Sequence, residues 1–190
     1  MGLSAESAFE KGAVLTTFDL ENMAGQKVGL ESFKGTVVLI NFWFINCPPC
    51  QMEIPDLNEL RAEYEGRNVA FLAITFDVKS KVKSFLQESP FNFQHFPNAR
   101  SIIELYGIQV FPTSVVINKE GKVVNSKIGG SMNIKEELKV FLFQPSDLKK
   151  LKWHKANEFE WNGGFYDIVY SDTLSNHQIQ FQCISDKQET

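Results

Sequence analysis

The apolar run Thr36-Val37-Val38-Leu39-Ile40-Asn41-Phe42-Trp43 leads almost directly into Cys47-Pro48-Pro49-Cys50, and this junction constrains the chain more than any other stretch. A strand apolar along nearly its whole length has no solvent face, so it predicts a central parallel strand covered on both sides. The segment Gln51 to Tyr64 carries Ile54, Leu57, Leu60 and Tyr64 at helical spacing, with a kink expected at Pro55. The two cysteines therefore fall where a buried strand meets a helix N-terminus. There, unpaired N–H groups and the positive end of the helix dipole favour a thiolate on the first cysteine. Such a pair can make and break a disulfide. Structural zinc needs about four ligands, and the other candidates, Cys183, His95, His154 and His177, are not paired at ligand spacing.

The remaining pattern alternates strands and helices. Residues 1 to 12 read as a frayed polar arm. Val14 to Leu20 and Val28 to Leu30 flank a Gly25 turn as a hairpin. Val69 to Phe76 is a second buried strand, and Asp77 is placed to N-cap a helix bearing Val82, Phe85 and Leu86 that stops before Pro90. Ala99 to Tyr106 is a shorter helix closed by Gly107. Thr113 to Asn118 and Val123 to Ile128 form an antiparallel hairpin, followed by a helix from Ile134 to Phe143. This order predicts an α/β sandwich with a mixed sheet. Beyond Pro145 a lysine-rich segment (Lys149, Lys150, Lys152, Lys155) reads as a solvated linker helix. Strands at Phe165 to Tyr170 and Gln178 to Ile184 follow it. The division expected is 1–143 for the main domain and 144–190 for a linker plus β-hairpin extension packed upon it.

Composition narrows the function. The 190-residue chain has a net charge of −4, which gives no reason to expect nucleic-acid binding, and its 17 Phe predict an aromatic core. No apolar stretch reaches the about 18 to 20 residues of a membrane span. Met1 to Lys11 lack the basic and apolar regions of a secretory signal. Two readings stay open, a cytoplasmic protein or one whose leader is absent from this chain.

Taken in order, Phe33-Lys34-Gly35, Leu39-Ile40-Asn41-Phe42-Trp43, Cys47-Pro48-Pro49-Cys50, Glu53-Ile54-Pro55-Asp56-Leu57, Tyr106-Gly107-Ile108, Phe111-Pro112-Thr113 and Ile117 to Lys122 resemble the TlpA/ResA-like group of thioredoxin-fold proteins. The resemblance covers residues 11–143, and residues 145–190 match no family recognised in the sequence. It implies a thioredoxin fold with an added N-terminal hairpin. It also implies disulfide exchange with protein thiols and disulfides, including apocytochromes awaiting haem, and an upstream thiol reductant. No cofactor beyond the redox-active Cys47–Cys50 pair is implied, and a monomer is expected. The location it implies is the cell envelope or periplasm.

Within that frame Cys47 is the candidate nucleophile, expected to be the more exposed sulfur, and Cys50 the resolving thiol. A free thiol of pKa about 8.5 is about 3% thiolate at pH 7, and a shift to about 7 makes it about half. Helix-terminus electrostatics supply at most about 2 kcal/mol of this, so N–H donation to sulfur is expected to contribute. Pro48 and Pro49 stiffen the turn and remove two donors. The resemblance makes Pro112 a cis proline facing the cysteines, with Val110, Phe111 and Asn46 lining a substrate groove. Trp43 is read as core packing and is also a candidate for the groove wall. Glu53 is either a first-turn acid complementing the dipole or a proton relay to Cys50. Asn41 stands where thioredoxins proper place a buried acid, and Asn46 where a Trp is usual. Cys183 and His95 are read as structural. The alternatives to an oxidoreductase are a copper(I)-handling thiol pair and a redox-linked binding module that uses the C-terminal hairpin.

Overall fold

All six residues of strand β3 (Val37–Phe42) are buried, as the unbroken apolar run requires. The computed structural model describes residues 5–15 and 18–142, together with the backbone of strands at 152–153, 158–161, 164–171 and 178–183. The chain divides into two compact units, Met1–Lys135 and Glu136–Thr190.

In the first unit, a short helix α1 (Ala5–Ala8) precedes the hairpin β1 (Asp19–Glu21) and β2 (Lys27–Gly29). Its turn is closed by the Asn22 side chain, whose Oδ1 accepts the Ala24 and Gln26 N–H groups at 2.9 and 3.0 Å. After β3 come α2 (Pro48–Glu63), β4 (Val69–Ile74), α3 (Lys79–Glu88), β5 (Gln94–Phe96), α4 (Arg100–Leu105), β6 (Thr113–Ile117) and β7 (Val123–Ile128). The sheet order is β5-β4-β3-β6-β7. β3, β4 and β5 run parallel, while β6 is antiparallel to β3 and to β7. Helix α5 (Ile134–Lys139) crosses the junction between the units. This is the mixed sheet of a thioredoxin fold with an added N-terminal hairpin.

Side chains alternate across each strand, so the sheet has two cores. Val38, Ile40 and Phe42 join Leu72, Ile74 and Val115 on one face. On the other, α2 and α3 supply cover: Tyr64 meets Phe71, and Phe85 meets Trp43 with ring centroids 5.3 Å apart.

Register then positions the site. Phe42 pairs with Thr113 on one side and Ile74 on the other. The segment leaving β3 is thus flanked by the Pro112 loop and by the turn that follows β4.

Several expectations need correction. The polar arm is not frayed throughout. Phe9 is 1% exposed and packs against Phe42 and Tyr106 at 5.8 and 5.4 Å. Asp77 does not cap α3, whose N-cap is Val78 without a side-chain bond. The C-terminal helix is shorter than read, ending at Lys139 before a 3-10 turn at Val140–Leu142.

In the second unit the strands are β8 (Lys152–Trp153), β9 (Glu158–Trp161), β10 (Gly164–Ser171) and β11 (Gln178–Cys183), a four-stranded antiparallel sheet rather than a lone hairpin. Lys152 lies in a strand rather than in a linker helix. Lys149, Lys150 and Lys155 lie outside the described residues, as does the side chain of Cys183.

Candidate active site

Cys47 is the N-cap of α2, with an extended backbone (φ −114°, ψ 96°). Pro48 and Pro49 occupy the first two helical positions, where an N–H has no intrahelical partner in any case. They leave the Cys50 N–H as the first donor of the helix. That donor reaches Cys47 Sγ at 3.2 Å, while the Gln51 N–H takes the Cys47 carbonyl at 3.0 Å. The sequence places one directed donor on the sulfur that the dipole also favours. Cys47 and Cys50 are joined as a disulfide, their Cα atoms 5.2 Å apart. In this closed state both cysteine residues are buried, each 2% exposed.

The Phe111–Pro112 peptide is cis. Its loop is fastened by Thr113 Oγ1, which donates to the Val110 carbonyl at 2.8 Å, and by the Gly129 N–H on the Pro112 carbonyl at 2.9 Å. Val110 and Asn46 are exposed, and Phe111 is half-buried. Trp43 does not. It is fully buried among Phe85, Phe91 and His95, so it belongs to the core and not to a groove.

Glu53 lies in the second turn of α2, not the first, and is buried. Its Oε1 accepts the Ser131 N–H at 2.7 Å. Asn41 is buried as well, and its amide donates to Ser114 Oγ at 3.0 Å, a neutral pair at that position.

Sequence reasoning missed Gly130. A Cβ there would meet Pro49 Cβ at 3.1 Å, and Glu53 Oε1 and Pro112 Cδ at 3.8 Å. This one backbone position touches the thiol turn, the buried acid and the cis-proline loop. Its only sequence signal is the Gly129-Gly130 pair closing β7. A surface groove of about 400 Å³ opens here between Pro49, Met52, Asp56 and Gly130 to Met132. Ile45 went unremarked in the sequence, and Asp77, read there as a helix cap, reaches the segment before Cys47 instead. The Asp77 carboxylate accepts the Ile45 N–H at 2.7 Å, and the Ile45 carbonyl accepts from Gln51 Nε2 at 2.5 Å. The half-buried rings of Phe44, Phe76 and Phe111 meet beside them, with centroids 5.2 to 5.8 Å apart.

Among the described residues no three His, Cys, Asp or Glu side chains gather as a metal-binding group. No helix among them is long and apolar enough to cross a membrane.

A disulfide closed across a helix N-terminus in this sheet topology makes the molecule a thiol–disulfide oxidoreductase of thioredoxin fold. The chain belongs to the AhpC/TSA family, which its residues 12–126 match. The thiol-disulfide oxidoreductase ResA of Bacillus cereus is 35% identical over 141 residues, covering 73% of this chain and 80% of the relative. The thioredoxin-like protein YneN of Bacillus subtilis is 27% identical over 128 residues, covering 65% of this chain and 75% of the relative. Among solved structures, a candidate DsbE thiol:disulfide interchange protein from Chlorobium tepidum is similar with a TM-score of 0.65 and 29% identity. That match covers 70% of this chain and 96% of the other.

Proposed function

We propose that this oxidoreductase works as a reductase of disulfides in protein partners, with Cys47 as nucleophile and Cys50 as resolving thiol. The observation that carries the assignment is the Cys50 N–H aimed at Cys47 Sγ with no competing donor from the two prolines. The same donor stabilises the thiolate that attacks. In the cycle, an upstream dithiol first reduces the Cys47–Cys50 disulfide. The Cys47 thiolate then attacks a partner disulfide, forming a mixed disulfide and expelling one partner thiolate. The Cys50 thiolate next displaces Cys47 from the partner. This closes the internal disulfide and leaves the partner as a dithiol, with two electrons transferred.

The Cys50 thiol must lose a proton before that second step. Glu53 follows it by three residues on one helix face, a spacing of neighbouring side chains, and is our candidate to receive the proton. The groove lined by Pro49, Met52 and Gly130, where Gly130 also approaches Pro112 of the cis-proline loop, supports a polypeptide substrate. The resemblance to the TlpA/ResA-like group supports apocytochromes as one substrate class and the cell envelope as the location. In this reading residues 1–143 carry the reaction and 144–190 are an appended sheet that sets partner choice.

The test is trapping. In a Cys50→Ser variant, partners should accumulate as mixed disulfides through Cys47. Absence of any adduct under mild oxidising conditions, or adducts only in Cys47→Ser, would overturn the assignment. Deleting 144–190 should leave exchange with a small disulfide intact while changing the set of trapped proteins.

A further inference from the structure

We infer that Asp77 is a positioning residue for disulfide exchange, acting through the Ile45 peptide to hold Cys47 Sγ within reach of the Cys50 N–H. The inference rests on the reading that Cys47 is the attacking sulfur.

Asp77 belongs to a turn with little freedom. The Thr75 N–H is bound to the Phe96 carbonyl at 3.0 Å, the Ala99 N–H to the Thr75 carbonyl at 2.9 Å, and the Asn98 N–H to the Asp77 carbonyl at 2.9 Å. The Asp77 side chain is fixed in turn. Its Oδ2 accepts from Thr75 Oγ1 at 3.0 Å, and that hydroxyl accepts the Asp77 N–H at 3.1 Å. From this platform the same Oδ2 takes the Ile45 N–H at 2.7 Å. Charge-assisted bonds of this kind are shorter and stronger than neutral ones.

Ile45 is held from the other side as well, by Gln51, which sits next to Cys50 on α2. Its two polar groups therefore tie the turn after β4 to the first turns of the active-site helix. Phe44, the residue before it, is packed face to face on Phe76 at 5.3 Å. Only Asn46 separates this double anchor from Cys47, which leaves the sulfur little slack. Helix-terminus stabilisation falls off within the first turn, and a hydrogen bond weakens steeply with misalignment. A thiolate at Cys47 thus keeps its donor only while Ile45 stays in place.

The experiment compares wild type, Asp77→Ala and Asp77→Asn as reduced proteins. Cys47 ionisation is followed by ultraviolet thiolate absorbance against pH, and the Cys47–Cys50 potential by equilibration with glutathione. Asp77→Ala, which frees the Ile45 N–H, should raise the Cys47 pKa by about one unit, toward the about 8.5 of a free thiol, and make the pair more reducing. Asp77→Asn keeps an oxygen that accepts the bond and should titrate like wild type. If Asp77 acted only through its charge, both variants would lower the thiol pKa, because removing a like charge favours the thiolate. That result overturns the inference, and so does an Asp77→Ala protein that is less stable yet unchanged in pKa and potential. Should Asp77→Ala fail to fold, Gln51→Leu releases the same peptide from the helix side and should raise the pKa in the same direction. An unshifted value there overturns the inference equally. A wild-type protein whose Cys47 shows no titrating thiolate would instead refute the nucleophile assignment.

Discussion

Gly130 faces Pro49 so closely that a Cβ on the glycine would stand 3.1 Å from the proline Cβ. Pro49 is held at the second position of α2 and cannot swing aside. Alanine at 130 therefore forces a shift of a few tenths of an ångström, and valine forces more. Overpacking of this kind costs about 1 to 3 kcal/mol. We expect Gly130→Val to fold but to exchange disulfides about tenfold more slowly, because the added methyls fill the approach to Pro49 and Pro112. Denaturant unfolding and reduction of a model protein disulfide check both halves. Wild-type exchange in Gly130→Val would show that the groove is not on the substrate path.

Replacing Glu53 separates its two roles. Glu53→Gln keeps an oxygen for the Ser131 N–H but cannot take a proton. Formation of the mixed disulfide through Cys47 should proceed as before, whereas its resolution by Cys50 should slow by about tenfold or more. Rapid-quench separation of the two steps is the measurement. Equal slowing of both would mean that Glu53 serves only to seat the Gly130–Ser131 backbone.

Phe9 fills a cluster with Phe42 and Tyr106 and is 1% exposed. Phe9→Ala should destabilise the protein by about 3 kcal/mol. Burial pushes the Tyr106 phenol up to about 12. A raised folded-state pKa makes its stabilisation complete below the unfolded value near 10, and lost as pH rises from about 10 to 12. Opening the cluster should bring the phenolate titration of Tyr106 back toward 10, read by its ultraviolet absorbance. A truncation lacking residues 1–9 that melted like the full chain would contradict this packing.

His95 predicts the acid limb. Burial lowers its pKa below the usual 6.5, against a smaller upward effect of the bond to Phe91. Nε2 must donate in that bond, because the partner 2.7 Å away is a carbonyl oxygen. The unfolded chain then binds a proton that the folded one refuses, so stability is intact above about pH 6.5 and falls as pH drops below it. The slope reaches at most about 1.4 kcal/mol per pH unit. Urea midpoints measured from pH 8 down to pH 5 should show this fall in wild type. In His95→Gln the starting value should be lower and the profile flatter. Identical slopes would assign the acid sensitivity to carboxylates instead.

Neighbouring residues were enough to reveal the strand that ends at Trp43, the thiol turn after it and the amphipathic helix beyond. Each depends on a short-range property: an apolar run, a cap, or a spacing of three and four residues. The cis-proline loop was reached through its motif. What escaped was whatever depends on partners remote along the chain. Asp77 looked like a helix cap because acids before helices usually are, yet its carboxylate turns back to Ile45, 32 positions earlier. Glu53, read as a first-turn acid or a proton relay, gave no sign that the fold would lay Ser131 on it from 78 positions away. Phe9, in a polar segment, had no period to betray its place against Tyr106. Local chemistry wrote the order of elements and the reactive pair. Sheet register, by bringing Thr113 and Ile74 alongside Phe42, chose which distant groups hold that pair in place, because only closure of the sheet sets the distances over which hydrogen bonds and packing act.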